Sequence, residues 1–253
     1  MRKIAFINEK GGSCKTTLTV NVGAYLALRE KARVLIIDMD PQGHAGKCLG
    51  LDARGAEVTV YDLLTNPKMK PVEATLPTRI EGLDVIVSNK RLSDFDVTVA
   101  ADSDRVRKLM AKVERVYGYD YILFDSPPSL GLLTLNIMNA AEEVIVPVSL
   151  TFLAMDGCAE ILETVEQVRR TMGVRRLRVS MVVPTLYRNT RLANEILERL
   201  KARFGDVLSH AVIRYDVKID EAQSHGRTIW EYAPRSRGAE MFADLAREIR
   251  QHG

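Results

Sequence analysis

The sequence predicts an α/β fold of the doubly wound type, with a mostly parallel sheet and helices on both faces. Seven short runs of the chain are apolar, and most of them are nearly continuous in Val, Ile and Leu, as expected of strands that are covered on both faces. Longer stretches with helical spacing of apolar residues separate most of these runs, which is typical of strand–helix–strand units. The length of 253 residues suits one domain of this class, spanning residues 1–253.

The predicted strands are apolar runs bounded by turn-forming residues. They cover residues 3–8, 33–38, 83–88, 120–125, 143–148, 178–183 and 208–213. The predicted helices carry apolar residues three or four positions apart. They cover residues 15–30, 102–117, 130–140, 157–172, 190–204 and 238–250. Three prolines in residues 65–77 predict a surface excursion there.

The composition excludes several classes of protein. Apolar residues make up 46% of the chain and charged residues 27%, as in globular proteins. No apolar run approaches the roughly 18 residues of a membrane helix, and the apolar run after Lys3 is too short for a signal peptide. The three cysteines, Cys14, Cys48 and Cys158, form no Cys-x-x-Cys pair, which argues against disulfides and thiolate metal sites. A reducing, cytoplasmic location is therefore expected.

The net charge of +3 is unevenly distributed along the chain. Residues 169–253 contain 17 Lys and Arg against 10 Asp and Glu, whereas residues 1–168 contain 19 against 23. A positive excess in the last third of the chain favours a basic face that binds a polyanion. An even spread of these charges over the whole surface is the alternative.

Residues 8–17, which read NEKGGSCKTT, join the first predicted strand to the first predicted helix. Glycines let backbone N–H groups approach phosphate oxygens, and a helix N-terminus adds unpaired donors and partial positive charge. The segment therefore predicts a phosphate-binding loop in which Lys15 bridges the β- and γ-phosphates and the Thr16 hydroxyl binds Mg²⁺. Cys14 stands where the general pattern has a second glycine, so a simple glycine turn beside a lysine is the alternative. At a helix N-terminus the Cys14 thiol is expected to have a lowered pKa.

A second lysine, Lys10, lies five residues before Lys15, so the loop reads Lys-Gly-Gly-x-x-Lys-Thr. This pattern resembles the deviant Walker A motif of the ParA/MinD family of dimerising ATPases, which have the fold of P-loop NTPases. Residues 34–43 resemble the family's switch I segment, and residues 119–131 resemble its Walker B strand and switch II. Two further segments, Ser-His-Gly at 224–226 and PRSRGAE at 234–240, are similar to signatures of the chromosomal ParA/Soj branch.

The resemblance implies an ATPase whose cofactors are ATP and Mg²⁺. Phosphoryl transfer to water needs charge neutralisation and an oriented water more than covalent help. The resemblance assigns the charge neutralisation to Lys10 and Lys15 and the orientation of water to Asp40. The residues expected to contact the nucleotide are Lys10, Gly11, Gly12, Ser13, Cys14, Lys15, Thr16, Thr17, Arg214 and Asp216.

Three residues are expected to hold the metal. These are Thr16 and, by resemblance, Asp38 and Asp125, each of which ends an apolar run; a lone aspartate there is otherwise a helix cap or turn former. Arg214 and Asp216 stand where relatives carry Pro and Asn beside the adenine. Asp216 can accept a hydrogen bond from the adenine amino group but cannot donate one.

The resemblance gives the basic third of the chain a function in binding DNA non-specifically. Lysines and arginines there would neutralise phosphates without reading bases, although any one of them taken alone is more often an ordinary solvated charge. The resemblance also implies a homodimer with ATP sandwiched between its subunits, a ParB-like partner that stimulates hydrolysis, and a nucleoid-associated location. Arg214, already expected beside the adenine, also lies in or next to the segments that relatives use for DNA. The expected DNA-binding residues are Arg188, Arg191, Arg203, Lys218 and Arg227.

The expected function is therefore chromosome or plasmid partitioning. The chain begins directly with its first strand, so no N-terminal helix-turn-helix is expected. Residues 241–250 carry too narrow an apolar stripe for a membrane anchor of the MinD kind, and no membrane partner is expected. Two alternatives stay open: an ATPase of the same kind that positions a chemotaxis array, flagellum, carboxysome or the division machinery, and a nucleotide-dependent scaffold that does not hydrolyse ATP. Only Cys14 favours the scaffold.

Overall fold

Seven strands form one sheet in the computed structural model, which describes residues 1–151 and 154–252. The strands are β1 (Arg2–Phe6), β2 (Val34–Asp38), β3 (Leu76–Pro77), β4 (Leu83–Ile86), β5 (Tyr121–Asp125), β6 (Glu143–Ser149) and β7 (Arg178–Thr185). They lie in the order β3-β4-β2-β5-β1-β6-β7. All neighbours are parallel except β3 and β4. The predicted mostly parallel sheet is therefore confirmed.

Helices connect the strands on both faces of the sheet. They are α1 (Lys15–Glu30), α2 (His44–Cys48), α3 (Val60–Thr65), α4 (Pro71–Ala74), α5 (Phe95–Thr98), α6 (Lys108–Val113), α7 (Leu132–Ala140), α8 (Ala154–Met172), α9 (Arg191–Phe204), α10 (Val217–Ser224), α11 (Ile229–Tyr232) and α12 (Arg237–Gln251). Short 3-10 turns cover Lys90–Asp94 and Arg105–Arg107. Within the described ranges, no helix is long and apolar enough to cross a membrane.

Alternate residues of the central strands pack into two separate apolar layers. Ala5 of β1 belongs to the layer that contains buried residues of α3–α9, whereas Ile4 and Phe6 belong to the layer that contains buried residues of α1, α2 and α10–α12. Both faces of these strands are thus covered, which explains their continuous apolar sequences. The apolar face of α12, including Phe242 and Leu245, is buried in the second layer. Its stripe therefore belongs to the core.

The predicted strand at residues 208–213 is wrong. In the structure this segment makes only isolated bridges, Val182 with Leu208 and Tyr187 with Arg214. The backbone N–H groups of residues 210 and 211 donate instead to the side-chain carboxylate of Glu248 on α12, at 2.8 and 3.0 Å. These two N–H groups are therefore bonded to a side chain of a distant helix and cannot donate to a neighbouring strand, as a strand ladder requires.

Two other expectations were partly wrong. Residues 102–117, predicted as one helix, form the 3-10 turn Arg105–Arg107 followed by α6, which ends at Val113. Residues 65–77, predicted as a surface excursion, contain α4 and end in β3. Pro77 is tolerated there because β3 is the outermost strand of the sheet, where a missing N–H donor costs little.

Candidate functional site

The loop between β1 and α1 is closed by its own side chains. The Lys10 backbone N–H donates to Asn8 Oδ1 at 2.9 Å, and Ser13 Oγ donates to the Lys10 carbonyl at 3.1 Å. Lys15 Nζ reaches the same carbonyl, also at 3.1 Å, so its ammonium lies across the loop. Gly12 has a φ of 71°, in the left-handed region that favours glycine. A Cβ added at Gly12 or at the equally exposed Gly11 would meet no atom within 4 Å, so the tip of the loop is open.

A cavity of about 530 Å³ opens above this loop. The volume lies within the range of small-molecule sites. The cavity is lined by the first turn of α1, by the segment after β2, by α2 and by the end of α10. Its lining residues are Gly11, Gly12, Ser13, Cys14, Lys15, Thr16, Thr17, Asp40, Gln42, His44, Lys47, Cys48, Pro128 and Gln223.

Two buried carboxylates lie side by side beneath the cavity. Asp38 ends β2 and Asp125 ends β5, and the two residues are direct partners in the β2–β5 ladder. The Thr16 hydroxyl donates to Asp125 Oδ2 at 2.6 Å. Asp38 accepts the backbone N–H groups of Asp40 and Ala45, each at 3.0 Å. The carboxyl ends of neighbouring parallel strands meet at one edge, so the fold brings the predicted metal-binding residues together.

The charges at this edge are poorly compensated. Burial, with repulsion by Asp40, raises the pKa of the Asp125 carboxyl to about 7. Burial and repulsion by Asp125 hold the pKa of the Asp38 carboxyl well above its usual range. Burial also lowers the pKa of the Lys15 ammonium, against the attraction of Asp125 and Asp40. A cation bound here would relieve the repulsion between the carboxylates.

The donor set suits magnesium better than a metal held by protein ligands alone. In the described part of the chain, no group of three or more His, Cys, Asp or Glu side chains could hold a metal ion. Magnesium is usually held by one or two protein oxygens together with waters and substrate phosphates. The Thr16 hydroxyl and the Asp125 carboxylate beside an anion-binding loop fit that requirement.

Asp40 occupies a different position from the other two aspartates. It lines the cavity, is 8% exposed, and accepts the backbone N–H of Gln42 at 2.9 Å. Its carboxylate is therefore held in place at the cavity wall. This is the position required of a group that orients a water molecule against a bound phosphate.

Three of the predicted nucleotide contacts lie beside the cavity without lining it. Lys10 lies against α8, where a Cβ added at Gly157 would stand 3.7 Å from Lys10 Cε. Asp216 caps α10 by accepting the Lys218 backbone N–H at 2.9 Å. The Arg214 guanidinium stacks over the Tyr187 ring, 4.8 Å from its centre. The roles predicted for these three residues stay predictions.

Gln223 lines the cavity and was missed by the sequence analysis. Its side-chain amide donates to Thr17 Oγ1 at 2.7 Å, which joins the end of α10 to the first turn of α1. The two residues are 206 positions apart. No local pattern marks a glutamine at the end of a short helix as a site residue, so only the folded chain could identify it.

The expectation of a lowered thiol pKa at Cys14 was wrong. Cys14 has a φ of 72° at the N-cap of α1, and burial raises the pKa of its thiol to about 11. Desolvation of the thiolate outweighs the hydrogen bond with Thr185 and the attraction of Lys15, both of which lower the pKa. The thiol is therefore protonated at neutral pH and a poor nucleophile.

The five predicted DNA-binding residues have different surroundings. The Arg188 guanidinium stacks over Tyr215, 4.2 Å from the ring centre. Arg191 and Lys218 each pair with a glutamate of their own helix, at 2.9 and 2.7 Å. Arg203 lies near the end of α9, about 18 Å along the helix from Arg191. Arg227 follows α10 and is exposed.

Comparison with known proteins agrees with the geometry of the site. The family model of the AAA domain matches residues 1–179. The sporulation initiation inhibitor protein Soj of Bacillus subtilis is 38% identical over 251 residues, covering 99% of this chain and 98% of that protein. The chromosome-partitioning ATPase Soj of Thermus thermophilus is 40% identical over 250 residues, covering 98% of this chain and 95% of that protein.

Solved structures give the same result. Cobyrinic acid a,c-diamide synthase from Mycobacterium smegmatis, with bound ADP and magnesium, has a TM-score of 0.85 at 29% identity, covering 99% of this chain and 94% of that one. The cell division ATPase MinD of Pyrococcus furiosus has a TM-score of 0.80 at 25% identity, covering 100% and 99%. Because the full-length sequence matches and the P-loop geometry agree, the chain belongs to the Soj/ParA family of P-loop ATPases.

Proposed function

We propose that the protein is an ATP-dependent dimerising ATPase that binds DNA non-specifically in its ATP state and drives chromosome or plasmid partitioning. The observation that carries the ATPase part is the grouping of Lys15, Thr16 and Asp125 under a cavity whose wall holds Asp40. A charged loop, a metal-binding pair and a fixed carboxylate are what phosphoryl transfer to water requires.

The proposed reaction is attack of water on the γ-phosphorus of ATP. A P–O bond forms to the water oxygen, and the bond to the oxygen that bridges the β- and γ-phosphorus breaks, so that ADP leaves with the bridging oxygen. One proton of the water stays on the inorganic phosphate and the other is released to solvent. The Asp40 carboxylate accepts a hydrogen bond from the attacking water and aligns it. Lys15 and, from the dimer partner, Lys10 offset the charge on the phosphate oxygens.

Magnesium would be held by the Thr16 hydroxyl and by Asp38 and Asp125, directly or through water. When bound, it would neutralise charge on the β- and γ-phosphates. The hydrogen bond between Thr16 and Asp125 already orients these two groups. The raised pKa values of both aspartates support the need for a cation beside them.

Dimerisation is supported by the open tip of the loop. Gly11 and Gly12 are exposed, and apart from its neighbours in the chain no described residue has an atom within 4 Å of a Cβ placed on either glycine. A second subunit can therefore approach the loop closely there. In that arrangement Lys10 would contact the nucleotide bound to the other subunit.

DNA binding is supported most directly by Arg188 and Arg214. Each guanidinium lies over a tyrosine ring, and neither forms an ion pair within the described chain. The segments that carry them are joined by backbone hydrogen bonds, from Tyr187 to residue 213 and from Tyr215 to Tyr187, each of 3.1 Å. Arginines held in this way can contact phosphates with little loss of side-chain freedom.

The partitioning role itself rests on the relatives, two of which are named for chromosome partitioning or sporulation control. It includes a ParB-like partner that stimulates hydrolysis and a nucleoid-associated location in the cytoplasm. Release from DNA would follow hydrolysis because the γ-phosphate no longer holds the segments around Asp40 and residues 125–131.

The decisive experiment measures binding to random-sequence duplex DNA by fluorescence anisotropy, with ATP, with ADP and without nucleotide, over a salt series. Binding only with ATP, falling steeply as salt rises, is the expected result. Phosphate release measured in the same samples should stop when EDTA removes the metal. Equal DNA binding in all three states, or none in any, would contradict the DNA-dependent mechanism. Absence of phosphate release would favour a scaffold.

A further inference from the structure

A second cavity, of about 510 Å³, lies at the opposite edge of the sheet from the nucleotide cavity. It is bounded by residues 33 and 35, residues 70–72 with 75, and residues 115–117 with 119, and is called the basic cleft below. Arg33 directly precedes β2 and Tyr119 precedes β5, so the cleft lies at the amino ends of the strands whose carboxyl ends carry Asp38 and Asp125. Five-residue strands place the two cavities about 17 Å apart.

Three exposed cations line the basic cleft, and no carboxylate side chain does among its described lining residues. Arg33, Lys70 and Arg115 form no ion pair in residues 1–151 and 154–252, whereas sixteen other pairs occur there. Three carboxylates lie around the cleft without lining it: Glu73 accepts the Lys70 backbone N–H, Asp120 accepts the Arg33 backbone N–H at 2.8 Å, and Asp84 accepts the Tyr119 hydroxyl. The residues that line the cleft therefore carry a net positive charge.

The Arg33 guanidinium is held in place. It lies over the Tyr119 ring, 5.4 Å from the centre, and the Tyr119 hydroxyl donates to Asp84 at 2.6 Å. Gly118, with a φ of 81°, passes so close to the guanidinium that an added Cβ would lie 3.3 Å from Arg33 Nη1. The tyrosine and the glycine turn thus fix one side of the guanidinium and leave the other to the cleft.

The rest of the cleft is apolar. Leu35, Pro71 and Val116 are buried beneath it, whereas Val72 and Tyr117 are 74% and 81% exposed at its rim. Large apolar side chains left this exposed next to cations offer contact area to a ligand with a flat apolar body. Arginine planes and tyrosine rings both stack on such a body.

We propose that the basic cleft is a second ligand site, which binds an organic anion with a flat apolar body, of the aromatic carboxylate class. The anionic group would pair with Arg33 and Arg115, and the ring would lie between Tyr117 and Val72. A site at this edge leaves the phosphate-binding loop free, so both cavities can be occupied together.

The test is an NMR titration with 1-naphthoate in the presence of saturating Mg-ADP, following the arginine Nε–Hε resonances. The neutral isostere 1-naphthamide is titrated in parallel. We expect saturable shifts at Arg33 and Arg115 with a Kd below about 1 mM, and binding of the amide about tenfold weaker, since it lacks the charge. Binding of equal strength by the amide would overturn the proposal.

Variants locate the site. Arg33→Gln with Arg115→Gln should weaken naphthoate binding at least about tenfold, whereas Arg54→Gln with Arg235→Gln, two exposed arginines elsewhere, should leave it unchanged. If the first pair fails to fold, Arg115→Gln alone replaces it. Shifts that appear only without Mg-ADP would place the anion at the phosphate-binding loop and refute the proposal. No saturable shift at Arg33 would refute it as well.

Discussion

The nucleotide cavity and the exposed arginines and lysines of residues 169–253, together called the basic surface here, both consist of charged side chains in very different surroundings. At the cavity, Lys15, Asp38 and Asp125 are buried and bonded to neighbours. At the basic surface, arginines and lysines are exposed and several pair with glutamates of their own helix. Buried charges interact strongly, whereas exposed ones are screened by solvent. Single substitutions should therefore act strongly at the cavity and weakly at the surface.

Lys15→Ala should have the largest effect. Lys15 is 7% exposed and is the ammonium that faces both Asp125 and Asp40. Its removal leaves the phosphates of the nucleotide without this ammonium, and losing one partner of a buried, hydrogen-bonded charge pair in a complex costs about 2–5 kcal/mol. ATP affinity measured by calorimetry should fall at least about 100-fold. Lys90→Ala, at an exposed lysine, is the control and should bind ATP normally. A Lys15→Ala protein that binds ATP nearly as well as the parent would contradict the expectation that single substitutions act strongly at the cavity.

Asp40→Ala should separate binding from hydrolysis. The carboxylate is fixed at the cavity wall by the Gln42 N–H but makes no hydrogen bond to the loop or to the metal-binding pair in the described structure. We expect turnover to fall about 10² to 10⁴-fold because a positioned base contributes that much. ATP affinity should change little, and the ATP-bound protein should stay on DNA. Asp96→Ala, at an exposed aspartate, should leave turnover unchanged; rapid phosphate release by Asp40→Ala would exclude the proposed role.

These residues could be found from the sequence because their positions follow from local rules. A glycine-rich segment between a strand and a helix forms a loop, and Asp38 and Asp125 end strands that the parallel register aligns. Six of the seven strands and the five longest helices were predicted from apolar periodicity in the same way, whereas β3 and the short helices α2–α5, α10 and α11 were not predicted. Site residues whose positions depend only on chain order and strand direction can therefore be predicted from the sequence.

Features that depend on distant contacts were not predictable. The failed strand at 208–213 lost its donors to Glu248, and Gln223 reaches the cavity only because α10 packs beside α1. Burial likewise raises the pKa of the Cys14 thiol, although the position of Cys14 at the start of α1 predicted a lowered pKa. In each case a neighbour far along the chain decides the outcome.

At the basic surface, pairs of substitutions test which cations contact DNA. Arg188→Gln with Arg214→Gln removes two arginines that have no ion pair in the described chain, and we expect the salt slope of DNA binding to fall by about 2. Arg191→Gln with Lys218→Gln removes cations that already pair with glutamates, so the slope should fall less. The Arg191→Gln with Lys218→Gln variant should retain ATP-dependent dimerisation, measured by light scattering, and ATP affinity is measured for the other pair because Arg214 is also an expected nucleotide contact. Equal slopes for the two pairs would show that the ion pairs open when DNA binds.

Gln223→Ala tests whether the cavity extends to α10. The substitution removes the hydrogen bond to Thr17 and one wall residue, and a single hydrogen bond of this kind contributes about 1 kcal/mol. ATP affinity should fall about fivefold. Gln167→Ala, at an exposed glutamine of α8, provides the matched control. Unchanged affinity in Gln223→Ala would confine the nucleotide to the loop and the segment after β2.

The smallest effect is expected at Cys14, where two contributions oppose each other. Its left-handed φ of 72° costs about 1 kcal/mol for a residue with a Cβ, whereas its side chain packs against the second apolar layer. Cys14→Gly relieves the backbone strain but loses the side-chain packing, so the free energy of unfolding in urea should change by less than about 0.5 kcal/mol. Cys14→Ala loses packing without relief and should cost about 1 kcal/mol.

Substitution of Lys31 measures the backbone contribution without the loss of packing. Lys31 has a φ of 57° at the end of α1 and is exposed, so its substitution sacrifices little packing. Lys31→Gly should therefore stabilise the protein by about 0.5–1 kcal/mol, the backbone contribution alone. If Cys14→Gly destabilises as much as Cys14→Ala while Lys31→Gly stabilises, the loop does not store backbone strain at Cys14. The thiol would then be retained for its packing, and the absence of the second glycine would carry no energetic cost.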